Sequence, residues 1–234
     1  MAQPTLGIIG GIAPGSTIDY YRLLVERYRA RRPDGSYPRI VINSINLTPL
    51  LELIAGGDRP KLVDYLLEEL DVLERAGAGV AFIASNTPHV VFDDVAKRSP
   101  VPLVSIVEAT AAEAVARGLK KLGLLGTRTT MGGGFYPPVC ARHGVQVVVP
   151  PHDDFEHINA IYFGELVGGV FKQETRDGVM AVVGRMQQSD GIDGVILGGT
   201  ELPLLFRGAW PASPPMLDTT SIHVEAALDR LLAL

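Results

Sequence analysis

The sequence predicts an α/β protein of two similar lobes, each with a four-stranded parallel sheet flanked by helices. Three observations lead to this fold. Short apolar runs alternate with longer amphipathic stretches along the whole chain. The apolar runs are nearly continuous rather than alternating, which is typical of strands buried on both faces. Short motifs of the first half of the chain also recur, in the same order, in the second half.

The elements follow from these patterns in chain order. The predicted strands are the apolar runs at 6–9, 40–42, 80–83, 102–105, 122–125, 145–149, 195–197 and 216–218. The predicted helices include the amphipathic stretches at 16–32, 61–76, 108–117 and 224–232. Pro211 to Pro215 forms the one proline-dense crossing.

The repeat is carried by three anchors that occur in the same order at a nearly constant spacing. LGIIG at 6–10 returns as LGLLG at 122–126, SNT at 85–87 corresponds to GTE at 199–201, and PLVS at 102–105 corresponds to PMLD at 215–218. A duplicated α/β unit indicates two facing lobes related by a pseudo-two-fold axis, with a site at the lobe interface. Alternatively, glycine-rich strand exits recur because every parallel sheet needs tight exits.

Composition narrows the classes of partner. The 234 residues are 47% hydrophobic and 20% charged, and a net charge of -5 gives no electrostatic attraction to nucleic acid or to an anionic membrane. A single cysteine, Cys140, excludes an internal disulfide and a cysteine-based metal cluster, so no metal is predicted. No apolar run reaches the roughly 20 residues of a membrane helix and no signal peptide is evident, so we expect a cytoplasmic protein.

Polar residues at strand exits are the candidate chemistry, because open α/β folds bind ligands at the carboxyl ends of their strands. Ser85 and His89 follow the third predicted strand, Glu201 follows the seventh, and His223 follows the last. Glu201 is suited to pair with an ammonium group or to act as a base, and either histidine can titrate near neutral pH. Each has a structural alternative: a hydrogen-bonded histidine, a helix-capping Ser85, or a Glu201 that only offsets a helix dipole.

Two loops, one rich in glycine and one rich in threonine, are candidate carboxylate-binding sites. Gly11 lies in a loop between a strand and a helix whose backbone amides can hold an anion, although such glycines also serve close packing. Thr127, Thr129 and Thr130 occupy the duplicate position, where they either cap a helix or hold a carboxylate as well. Arg128 is the nearest basic residue to this loop.

Motifs along the chain resemble those of the aspartate/glutamate racemase family: GIIGG at 7–11, NT at 86–87, LLGT at 124–127, Gly198 with Thr200 and Glu201, and DTT at 218–220. The resemblance implies a C-terminal helix that returns to the first lobe. The expected domains are therefore 1–100 plus 210–234 and 101–209. The same resemblance implies a homodimer and a reaction without pyridoxal phosphate or any other cofactor.

In that family two thiols flank the α-carbon of the substrate, and this sequence has Ser85 and Gly199 at the corresponding positions. A serine hydroxyl is a far weaker acid than a thiol, and glycine has no side chain at all. Standard two-cysteine racemisation is therefore not expected. Cys140 does not replace either thiol, because it is predicted to lie late in a helix.

The resemblance implies an isomerase that binds a small amino acid or carboxylate, with aspartate and glutamate as the reference substrates. The candidate catalytic residues are Ser85, His89, Glu201 and His223. The candidate substrate-binding residues are Gly11, Asn86, Thr87, Thr127, Thr129, Thr130, Gly199 and Thr200. The alternatives are a non-catalytic amino-acid or carboxylate-binding protein, and a lyase or isomerase that uses histidine, glutamate or serine in place of cysteine.

Overall fold

The computed structural model describes residues 3–234, which form two compact units. The first unit runs to Ser105 and takes up the chain again with His223–Leu234, whereas the second comprises Ile106–Ile222. The return to the first unit comes later than residue 210 because the strand Met216–Asp218 pairs within the sheet of the second unit. The proline-dense crossing before that strand therefore belongs to the second unit.

The sheet of the first unit is parallel, with the order β2-β1-β3. Its strands are β1 (Thr5–Gly10), β2 (Arg39–Ser44) and β3 (Val80–Ile83). A fourth strand was predicted at 102–105, but the structure has only an isolated parallel bridge between Ala81 and Leu103 there. The backbone N–H of Ala81 donates to Pro102 O, and Pro102 has no N–H with which to continue the ladder.

The sheet of the second unit has the four parallel strands that the sequence predicts, in the order β5-β4-β6-β7. They are β4 (Lys121–Gly126), β5 (Gln146–Val148), β6 (Gly194–Gly198) and β7 (Met216–Asp218). The register places Gly126 beside Gly198 and Leu197 beside Asp218. The carboxyl ends of β4, β6 and β7 therefore lie at one edge of this sheet.

Helices flank both sheets, as the amphipathic stretches predict. The first unit contains α1 (Pro14–Arg31), α2 (Leu47–Gly56), α3 (Arg59–Arg75) and α4 (Phe92–Arg98). The second contains α5 (Ile106–Ala116), α6 (Arg128–Gly132), α7 (Tyr136–Arg142), α8 (His152–Ile161), α9 (Gln173–Asp190) and α10 (Leu202–Leu205). The last helix, α11 (Thr219–Leu232), begins in the second unit and ends in the first.

Two short irregular turns adjoin helices. A 3-10 turn, Thr87–Val91, precedes α4, and a π-helical turn, Tyr162–Leu166, follows α8. Turns of the π type occur mostly as single-turn insertions in α-helices, frequently at functional sites. Within residues 3–234, no helix has the length and apolar character needed to cross a membrane.

Apolar side chains cover both faces of the first sheet. One cluster joins Ile9 and Ile83 to α3 residues such as Leu66. The other joins Ile8 and Phe82 to α1 and to the end of α11. Successive side chains of a strand point to opposite faces, so β1 supplies both clusters. This double burial explains why its sequence is a continuous apolar run.

The core of the second unit packs around β4 and β6. Leu124 and Ile196 are fully buried in it, as are Tyr136 and Cys140 of α7. Cys140 lies late in its helix, as predicted, and burial raises the pKa of its thiol to about 11. This cysteine is therefore a packing residue that remains a neutral thiol at neutral pH.

Candidate functional site

The carboxyl end of β3 leads into the 3-10 turn through Ser85 and Asn86. The backbone N–H of Ser85 donates to Ile83 O at 2.8 Å, which turns the chain sharply after the strand. Ser85 and Asn86 are both buried, and Thr87 is half-buried. No side-chain cap closes this turn. The Ser85 hydroxyl is therefore not the helix cap that one sequence interpretation allowed.

His89 lies beside Ser85, as their spacing of four residues suggested, but it contacts the backbone of Ser85. The Nδ1–H of His89 donates to Ser85 O at 2.9 Å, because a carbonyl oxygen can only accept. Nε2 is then the nitrogen that carries the lone pair. The ring stacks on Phe92 at 4.7 Å between centroids. Burial, with a further contribution from His223, lowers the pKa of His89 to about 3, so the imidazole is neutral at pH 7.

His223 is fully buried, and both of its ring nitrogens are engaged. The Nε2–H donates to Val104 O at 3.0 Å, and the Tyr20 hydroxyl donates to Nδ1 at 3.0 Å. Burial lowers the pKa of His223 to about 4. Since neither nitrogen has a lone pair to spare, this arrangement favours a structural role for His223 over the predicted catalytic one. The residue joins the first part of α11 to α1 and to the bridge segment.

The loop after β1 is closed on itself. Gly11 has φ +84°, and a Cβ atom there would lie 2.3 Å from Ile45 O, so only glycine fits. Its backbone N–H donates to Thr17 Oγ1 at 2.8 Å, and the Thr17 hydroxyl in turn donates to Ala13 O at 3.1 Å. The Gly11 amide is thus occupied, which favours the packing interpretation over an anion seat at this residue.

Thr127 caps α6 in the second unit. Its Oγ1 accepts from Thr130 N at 3.1 Å and lies 3.1 Å from Thr130 Oγ1. Both threonines are buried, and Thr129 is half-buried. The guanidinium of Arg128 is held at the surface by Glu156. The cap is therefore present, whereas Arg128 is already paired with a carboxylate.

Glu201 is the buried carboxylate at the carboxyl end of β6, with only 3% of its surface exposed. The Tyr162 hydroxyl donates to Glu201 Oε2, and the Thr200 hydroxyl donates to the same oxygen at 3.1 Å. Glu201 precedes α10 without capping it. Its carboxylate is therefore engaged by hydroxyl groups, which argues against a role confined to the dipole of that helix.

Tyr162 is the residue that sequence reasoning missed. A Cβ atom on Gly199 would lie 2.3 Å from Tyr162 Cε2 and 2.7 Å from its hydroxyl oxygen. Burial and the Glu201 carboxylate raise the pKa of Tyr162 well above its usual value, so the phenol is neutral. The sequence contains no spacing signal for this contact, because it joins a helical segment to a strand exit 37 residues later.

No cluster of three histidine, cysteine, aspartate or glutamate side chains in residues 3–234 is arranged to hold a metal ion. The groups that can carry protons at the strand exits are therefore hydroxyls, imidazoles and a carboxylate. In the first unit these groups are Ser85 and His89. In the second they are Tyr162, Thr200 and Glu201.

Comparison with known proteins decides the family. The model of the Asp/Glu/Hydantoin racemase family matches residues 9–227. The chain belongs to this family. Among solved structures, a candidate Asp/Glu racemase from Yersinia pestis is 35% identical with a TM-score of 0.86, and the match covers 98% of this chain and 99% of that one. An aspartate racemase homologue from Pyrococcus horikoshii is 36% identical with a TM-score of 0.81, covering 99% and 100%.

The similar curated proteins are racemases that match over part of their length. The broad specificity amino-acid racemase RacX of Bacillus subtilis is 30% identical over 154 residues, which are 63% of this chain and 65% of RacX. The glutamate racemase of Aquifex aeolicus is 25% identical over 62% of this chain and 55% of that protein. The chain thus spans less than two thirds of either relative. This racemase-family protein shares its family and its fold with these proteins.

The two buried histidines make the first unit sensitive to acid. Free histidine has a pKa of about 6.5, whereas His89 and His223 have lowered values of about 3 and about 4. Below pH 6.5 the unfolded chain binds protons that the folded chain does not, so stability falls as the pH drops toward 4. Glutamine can keep both hydrogen bonds but does not titrate. His223→Gln is therefore predicted to make the loss of stability at low pH smaller.

Urea midpoints between pH 7 and pH 4.5 measure the effect, with His152→Gln as the control at an exposed histidine. If the urea midpoint of His223→Gln falls between pH 7 and pH 4.5 as much as that of the wild type, the assignment of a buried, neutral imidazole is contradicted.

Proposed function

We propose that this racemase-family protein is a cofactor-independent isomerase that ionises the α-carbon of a small amino acid or related carboxylate. The base takes the α-proton, the electron pair of the C–H bond stays on the carbon, and a proton is later returned to that carbon. Oxygen and nitrogen groups do this in place of thiols. The predicted homodimer and cytoplasmic location belong to the same proposal.

The buried carboxylate of Glu201 is the observation that carries this proposal. Carboxylates are rarely buried without a partner that stabilises them, and here the bonds described are with neutral hydroxyl donors. Carboxylate side chains are among the groups that act as general bases in enzymes. Glu201 also stands at a strand exit, where α/β folds bind ligands. The description of RacX as a broad specificity racemase supports an amino acid as the substrate class.

His89 is the corresponding candidate in the first unit. Its Nε2 is the lone-pair nitrogen, and the ring orientation is fixed by Ser85 O and by Phe92. Its low pKa, about 3, makes the imidazole a weak base. The candidate for proton abstraction is Glu201, which lies at a strand exit and bonds to the Tyr162 and Thr200 hydroxyls, and His89 is assigned to hydrogen bonding of the ligand.

Proton exchange in deuterated water tests the proposal. Wild-type protein incubated with a panel of amino acids and small dicarboxylates should exchange the α-proton of at least one compound, followed by NMR. Glu201→Gln is predicted to slow that exchange by about 10²- to 10⁴-fold, the usual contribution of a general base. His89→Gln should act mainly on substrate affinity.

Glu113→Gln is the matched control, because this glutamate pairs with Arg117 at the surface. Exchange that survives unchanged in Glu201→Gln would remove this residue from the reaction.

A non-catalytic binding protein is the second candidate function. The Thr220 hydroxyl supports the binding of a ligand, whether or not the ligand reacts. The Thr220 hydroxyl is buried and is one of two buried side-chain polar atoms without a hydrogen-bond partner in the part of the chain that the structure describes. Thr220 follows β7 in the first turn of α11. A carboxylate oxygen of a ligand would satisfy this hydroxyl.

Thr220→Val should therefore stabilise the ligand-free protein, because it removes an unsatisfied polar group whose burial costs about 1–3 kcal/mol. The same change should reduce the thermal stabilisation that a bound amino acid gives. Ligand-dependent melting curves of wild type and variant measure both effects. Stabilisation by ligand without any α-proton exchange would favour the non-catalytic protein, and a Thr220→Val variant that binds normally would show that the hydroxyl faces no ligand.

A further inference from the structure

The space beside Gly199 is filled by the Tyr162 phenol. Three atoms of that side chain would lie 2.3–2.8 Å from a Cβ atom at residue 199, and real Cβ atoms essentially never approach other atoms closer than 3.0 Å. A cysteine or even an alanine is therefore incompatible with the present position of Tyr162. The phenolic oxygen itself is 2.7 Å from that point.

Tyr162 is fixed from two directions. Its hydroxyl donates to Glu201, which lies just after β6, and the Thr200 hydroxyl donates to the same carboxylate oxygen. Its backbone begins the π-helical turn that interrupts the regular continuation of α8. The ring also packs edge-on against Phe163 at 5.7 Å between centroids. A buried phenol is thus held against a glycine backbone and joined to a buried carboxylate.

On the basis of the proposed function, we propose that Tyr162 and Glu201 form a proton relay at the carboxyl end of β6, with the Tyr162 hydroxyl in the space that a side chain at residue 199 would occupy. The substrate class is an amino acid or related carboxylate whose α C–H bond reaches the phenolic oxygen. Thr200 is a positioning residue that holds the accepting carboxylate oxygen.

The relay moves two protons toward Glu201, one from the carbon to the phenol and one from the phenol to the carboxylate, and it conserves charge. As the α C–H bond breaks, its electron pair remains on the carbon and its proton passes to the phenolic oxygen. The original phenol proton moves along the existing hydrogen bond to Glu201 Oε2, so that the carboxylate becomes a carboxylic acid. Return of a proton through the phenol to the same face of the carbon reverses these transfers and gives α-proton exchange, whereas inversion requires that the proton be delivered to the opposite face. The phenol is never left as a free phenolate, which its buried position beside a carboxylate disfavours.

The relay differs from simple base catalysis by Glu201, because it requires the phenolic hydroxyl. Tyr162→Phe removes that hydroxyl and keeps the ring. Tyr136→Phe is the matched control, since Tyr136 is another fully buried tyrosine of the second unit that bonds to Thr110 rather than to a carboxylate.

The first experiment compares α-proton exchange in deuterated water, and ligand affinity, for wild type, Tyr162→Phe, Glu201→Gln and Tyr136→Phe. We expect a loss of at least about 100-fold in exchange for both relay variants, with ligand binding retained and Tyr136→Phe close to wild type. Exchange by Tyr162→Phe within about threefold of wild type would overturn the relay and leave the proposed function standing. Absence of exchange in the wild type itself would overturn both.

The second experiment tests the shared space without any reaction. Gly199→Ala should lower the melting temperature by several degrees, because the Tyr162 ring has to move. Gly184→Ala, in an open position of α9, should not lower it. In a Tyr162→Ala background, Gly199→Ala should cost much less than in the wild type. Equal losses in both backgrounds, or a neutral Gly199→Ala, would show that Tyr162 does not occupy the space of residue 199.

Discussion

The Tyr162 phenol lies against the bare backbone of Gly199 and bonds to Glu201, and the two contacts depend on each other. Without glycine at residue 199 the ring could not reach the carboxylate. Without the hydroxyl, a buried glutamate would lose a donor that compensates its desolvation. This pair fixes the chemistry available at the end of β6. It supplies a carboxylate and a phenol at a place where the resemblance to racemases implies a thiol.

The two sheets present different chemistry at their carboxyl ends. In the first unit, burial keeps His89 and His223 neutral, with pKa values of about 3 and about 4. His223 joins the returning helix to α1 and to the segment that contains Val104, and His89 is held by a backbone carbonyl. In the second unit a carboxylate is retained among hydroxyl donors. The first unit therefore offers neutral imidazoles at its strand exits, and the second offers a carboxyl group bonded to two hydroxyls.

The strands and their exits could be predicted because they depend on local sequence. Continuous apolar runs located β1, β3, β4 and β6, and the polar residues that follow β3 and β6 proved to be buried. The predicted fourth strand of the first sheet was reduced to one bridge, and the sequence already contained the reason in Pro102. The partners of His223 and the position of Tyr162 could not be predicted, because both depend on tertiary contacts between distant segments.

The state of the Tyr162 phenol tests this account most directly. NMR of protein labelled with ¹³C at the tyrosine ζ carbon, with the signal assigned by Tyr162→Phe, follows ionisation of this side chain across the alkaline range. The account predicts that Tyr162 remains a neutral phenol well beyond pH 10, the ordinary pKa of tyrosine being about 10, and that Glu201→Gln shifts its signal. Ionisation near pH 10, or a signal that ignores Glu201→Gln, would show that the phenol is neither buried nor bonded to the carboxylate.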